Sequence, residues 1–72
     1  MPNNIKSERV RAGLSQQELA ERLEVSPITI RNWESGKSVL NVSKLLALSD
    51  IFQCTTDYIL GRCEERTMSV IR

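Results

Sequence analysis

A chain of 72 residues, 40% hydrophobic and 26% charged, allows one small domain whose core is too modest for much stability unless it associates with a second copy. Its net charge of +1 excludes a strong general field for nucleic acid or membrane, so affinity for a polyanion has to come from the placement of a few charges. The longest apolar runs are far too short to span a bilayer, and Met1-Pro2-Asn3-Asn4 lacks the basic and apolar regions of a signal peptide, so cytoplasmic residence is expected.

The first predicted helix starts at Asn3 or Asn4, either of which can cap it, and runs to about Ala12, where Gly13 stops it. Ile5, Arg9 and Val10 give it a thin apolar face that has to pack on something. A second start follows at once. Ser15 can accept from an orphan backbone N–H one turn on, and Glu18 three residues later completes a capping-box pattern. Leu19, Ala20 and Leu23 then share one face, leaving Gln17, Glu18, Glu21 and Arg22 for the others. After Glu24-Val25, Ser26 caps a third helix with Pro27 at its first position, where the missing N–H is no loss. Ile30 and Trp33 point inward and Gly36 ends it. Two short helices joined by so brief a turn make a helix-turn-helix.

The run Gly13-Leu14-Ser15-Gln16-Gln17-Glu18-Leu19-Ala20, then Val25-Ser26, Ile30, Trp33-Glu34 and Gly36-Lys37, resembles the DNA-binding domain shared by lambdoid phage repressors, Cro proteins and XRE-type regulators. Leu45-Leu46 and Asp57-Tyr58-Ile59-Leu60-Gly61 are similar to that domain's last two helices, so the resemblance covers roughly residues 4 to 61. It implies an ion pair between Arg9 and Glu34, and a phosphate contact from Gln16. Many members of the family have glycine where Glu24 stands, because the backbone there is left-handed.

In such a motif the second helix enters the major groove and offers its N-terminal residues to base edges. With Ile30 and Trp33 inward, Pro27, Ile28, Thr29, Arg31 and Asn32 are left outside as candidate base readers. Ile28 and Asn32 share a stripe: Asn32 suits a bidentate pair to adenine, and Ile28 with the Thr29 methyl suits thymine methyls. Arg31 is able to reach either guanine or a phosphate. Gln16, with Gln17 as a second, stands at a helix N-terminus whose free N–H groups favour a phosphate, and Ser35, Lys37 and Ser38 follow the reading helix as further backbone contacts.

Asn41 caps a fourth helix with Val42, Leu45, Leu46, Ser49 and Phe52 predicted on its core face. Thr55 or Thr56 caps a short fifth, Asp57 lies in its first turn and Gly61 closes it. The resemblance places a dimer contact at this end, with Tyr58 and Ile59 as candidates for interface or core. Residues 1–61 thus read as the helix-turn-helix domain. Residues 62–72 read as a tail carrying Met68, Val70 and Ile71, either frayed, part of the interface or the start of an effector region.

With no histidine, and with Cys54 and Cys63 nine positions apart, no metal or cofactor is expected, and Cys54 reads as a small buried hydrophobe. No paired carboxylates or glycine-rich phosphate loop suggest catalysis. The expected fold is all-α, a compact bundle of about five short helices. The expected function is sequence-specific binding of double-stranded DNA by a homodimer, as a regulator of the repressor type. The other reading is a protein-interaction module on the same scaffold, an antitoxin or antirepressor partner, which the near-neutral charge favours.

Overall fold

The computed structural model describes residues 3–64, which form five α-helices: α1 (Ile5–Arg11), α2 (Gln16–Leu23), α3 (Pro27–Ser35), α4 (Val42–Phe52) and α5 (Thr56–Ile59). Four of the starts are side-chain caps. Ser15, Ser26, Asn41 and Thr55 accept from the backbone N–H groups of Glu18, Thr29, Lys44 and Tyr58, each cap stabilising its helix by about 1 kcal/mol. At Ser15 the box is complete, since the Glu18 carboxylate accepts in return from the Ser15 N–H at 2.8 Å. The first helix differs. Asn4 makes no cap bond, and the Asn3 carboxamide oxygen accepts from the Ile5 N–H instead, at 3.1 Å.

The ends are left-handed turns. At Gly36 (φ 80°), the Lys37 N–H reaches Asn32 C=O and the Gly36 N–H reaches Trp33 C=O, the two bonds of a Schellman motif. The same pair closes α2, where Val25 N–H reaches Ala20 C=O and Glu24 N–H reaches Glu21 C=O. Here the left-handed residue is Glu24, at φ 59°, as the turn's likeness to the family requires.

The core is Ile5, Leu19, Ala20, Leu23, Ile30, Trp33, Leu48, Phe52, Cys54 and Ile59, with Leu14, Val25, Leu45 and Tyr58 packed partly against it. Two helix faces depart from expectation. In α1, Ile5 and Glu8 are buried while Val10 is exposed, because five residues of α-helix turn Val10 about 140° away from Ile5. In α4, Leu48 and Phe52 are buried, whereas Val42 and Leu46 are 70% and 54% exposed. The face that α4 turns inward is the i, i+4 pair of its last turns. Val42 and Leu46 form a separate i, i+4 stripe that the other four helices leave uncovered.

Candidate nucleic-acid interface

The packing of α2 against α3 fixes where the outer face of α3 lies. Leu19, Ala20 and Leu23 from α2 meet Ile30 and Trp33 from α3, and Val25 in the turn closes the wedge. A further tie comes from α4, since the Lys44 ammonium donates to the Leu23 carbonyl at 2.6 Å. The last carbonyls of a helix carry its negative end, so a half-buried ammonium there holds both α2 and the Glu24 turn that follows.

Glu34, at the far end of α3, joins three helices. Its Oε2 accepts from Arg9 Nε at 2.6 Å and its Oε1 accepts from Gln16 Nε2 at 3.1 Å. Arg9 also donates through Nη1 to the Leu14 carbonyl at 2.9 Å. The Arg9 and Glu34 side chains are only 12% and 6% exposed, so the pair is shielded from water. The N-terminal segment adds one more clasp to α3, through Asn3 Nδ2 donating to Trp33 C=O at 2.8 Å.

With its inner face so held, α3 presents Pro27, Ile28 and Arg31 as exposed residues and Thr29 and Asn32 as half-buried ones. Ile28 is 59% exposed at the head of the helix. The Asn32 carbonyl is occupied by the Lys37 and Ser38 N–H groups and by the Ser35 hydroxyl, yet its side-chain amide bonds to no described residue. The amide is therefore available to a ligand. Thr29 is otherwise engaged: its Oγ1 lies 3.1 Å from Ser26 Oγ within the cap. Gln17, Ser35, Lys37 and Ser38 are exposed beside this face, at the start of α2 and past the end of α3.

Two of the residues singled out in the sequence are engaged within the domain. Gln16 stands at the N-terminus of α2 but spends its amide on Glu34. Ile59 is fully buried in the core, one of the two places the sequence leaves open for it, while Tyr58 is half-buried. Met68, Val70 and Ile71 lie outside the described residues. Among the described residues no three histidine, cysteine, aspartate or glutamate side chains gather as a metal site, and no helix is long and apolar enough to cross a membrane.

The pKa of the Glu18 carboxyl is shifted downward. The Ser15 backbone N–H, then the Ser15 hydroxyl, hold its carboxylate below the ordinary 4.5, with a smaller contribution from Arg22.

Residues 5–59 match the model of a protein family described as helix-turn-helix. The chain belongs to that family, and within it to the XRE type. This helix-turn-helix chain is 39% identical over 71 residues to the HTH-type transcriptional activator BcrR of Enterococcus faecalis, covering 96% of itself and 35% of that protein. It is 35% identical over 60 residues to the HTH-type transcriptional regulator ImmR of Bacillus subtilis, covering 83% of itself and 47% of ImmR. The same identity and length relate it to Repressor protein C2 of Salmonella phage P22, 28% of which it covers. The helix-turn-helix chain thus spans less than half the length of each of these relatives.

Proposed function

We propose that the protein is a sequence-specific double-stranded DNA-binding transcriptional regulator that acts as a homodimer on an inverted repeat. The observation that carries this reading is the outer face of α3. An unengaged Asn32 amide and a projecting Ile28, one turn apart, stand on a helix clamped from behind by core packing and by the Arg9–Glu34–Gln16 cluster. Preorganised in this way, the stripe needs no rearrangement to enter a major groove. Pro27, Ile28, Thr29 and Asn32 then face base edges, with Arg31 alongside, while Gln17, Ser35, Lys37 and Ser38 follow the phosphate backbone.

Gln16 has a double part. Its amide is shared with Glu34, so it meets a phosphate through the N–H groups at the start of α2 or by exchanging partners. Two protomers joined near Tyr58 would set their reading helices about 34 Å apart, one turn of the duplex. Repression is the favoured direction, because a domain seated on an operator occludes it without any further contact. The relatives' names include both an activator and a repressor.

The roles separate by substitution. Asn32→Ala is expected to relax preference at one base pair by ~1–3 kcal/mol, and Lys37→Ala to weaken all sequences alike. Competition titrations against duplexes altered one position at a time read both effects. A uniform loss for Asn32→Ala, with a position-specific loss for Lys37→Ala, would reverse the assignment.

A further inference from the structure

We propose that Lys6 of α1 and Arg31 of α3 together seat one phosphodiester of the DNA backbone, so that α1 is itself a DNA-contacting element. This rests on the DNA-binding reading above and extends it to a helix outside the helix-turn-helix.

Between α1, the start of α2 and the outer edge of α3 lies an open hollow of about 300 Å³ lined by Lys6, Gln16, Arg31, Glu34 and Ser35. Glu34 is its only carboxylate. Both oxygens of that carboxylate are taken, one by Arg9 Nε and one by Gln16 Nε2, and Arg9 balances its charge. Lys6 and Arg31 remain. Both are exposed, and neither pairs with a carboxylate among the described residues. Two uncompensated cations bordering one hollow repel each other, and a single anion between them relieves that repulsion and gains two charge-assisted contacts.

The position of the hollow identifies the anion. Its α3 wall is Arg31, Glu34 and Ser35, of which Arg31 and Ser35 form an i, i+4 pair adjoining the Ile28 and Asn32 stripe. A duplex laid along that stripe carries a backbone past this edge, so the anion that arrives is a phosphodiester rather than a free metabolite. Arg31, with the sequence alone able to serve guanine or phosphate, is thereby assigned to phosphate. A chain with net charge +1 also needs its cations concentrated where a backbone runs, and this hollow collects two of them.

The test compares the unaltered protein with Lys6→Gln, Arg31→Gln and the control Arg11→Gln, an exposed cation on α1 outside the hollow. Each is titrated over a salt series against the protein's selected duplex and a scrambled one, with inorganic phosphate at matched ionic strength as a competitor. Lys6→Gln and Arg31→Gln are each expected to flatten the slope of log K against log[salt] by ~0.9 per half-site, equally for both duplexes, while Arg11→Gln keeps the original slope. A slope for Lys6→Gln equal to that of the unaltered protein overturns the seat, yet leaves the DNA-binding reading standing. A changed base preference for Arg31→Gln gives that residue to guanine and also overturns it. Displacement of DNA by inorganic phosphate, abolished in Lys6→Gln, would make the hollow a free-anion site and overturn the assignment to the backbone. If the unaltered protein selects no duplex at all, the functional reading fails and takes the seat with it.

Discussion

Arg9 Nε lies 2.6 Å from Glu34 Oε2, joining the first helix to the end of the third through a pair that is almost wholly shielded. Removing one partner of such a pair strands the other, which typically costs 3–5 kcal/mol, far above the ~0–1 kcal/mol of an exposed pair. Glu34→Ala is therefore expected to destabilise the domain by about 3 kcal/mol or more, since Gln16 loses its acceptor as well. Lys37→Ala, at an exposed residue just past α3, should stay within about 0.5 kcal/mol. Equal melting temperatures for the two variants would show that the pair carries no stability.

The left-handed residue between α2 and α3 is a glutamate, and the φ of 59° at Glu24 carries strain of order 1 kcal/mol that glycine would not. Part of that gain is offset by the greater freedom glycine gives the unfolded chain. Glu24→Gly is expected to be neutral or stabilising. Gln53, at φ 54°, is a useful contrast, because its side-chain amide donates to Asp50 C=O at 2.7 Å and glycine there forfeits that bond. Denaturant titrations in which Glu24→Gly unfolds clearly earlier than the unaltered protein would contradict the turn geometry.

Lys44 acts at the same turn from outside. Lys44→Met keeps most of the apolar stem and removes the donor to Leu23 C=O, and the expected loss is about 1–2 kcal/mol. Chemical denaturation measures it. A Lys44→Met variant as stable as the original would mean that water serves the α2 carbonyl equally well.

The capping box at Ser15 predicts a pH dependence. The folded Glu18 carboxyl titrates below its ordinary 4.5, so the folded state binds this proton less readily than the unfolded chain. The stabilisation is complete above the unfolded value and is lost as pH falls from there through the folded one. Glu18→Gln removes the titration. The stability difference between the unaltered protein and Glu18→Gln should thus shrink as pH is lowered below about 4.5, and a difference that stays constant through that range would contradict the shift.

Much of the fold is legible in the chain because its signals are local. Ser15, Ser26 and Asn41 announce helix starts, Gly13 and Gly36 announce stops, and each acts within a few residues of itself. What is harder to read depends on partners distant in sequence. The apolar residues of α4 lie on more than one face, and only the placement of the other helices decides that Leu48 goes in while Val42 and Leu46 stay out. Ile59 is buried for the same reason. The clasps from Asn3 to Trp33 and from Lys44 to Leu23 end on backbone carbonyls, which every residue possesses, so no residue type marks them in advance. The place of Lys6 beside Arg31 likewise emerges only when α1 is laid across α3.

The most direct test of the functional reading is selection of bound duplexes from a random pool by the purified protein, followed by titration of the winner at several salt concentrations. A domain that reads bases from α3 as a dimer should enrich an inverted repeat with half-site centres about one helical turn apart, and log K should fall steeply with log[salt]. A folded protein that enriches no sequence, or whose DNA affinity is flat in salt, would contradict it and point to a protein partner for the same face.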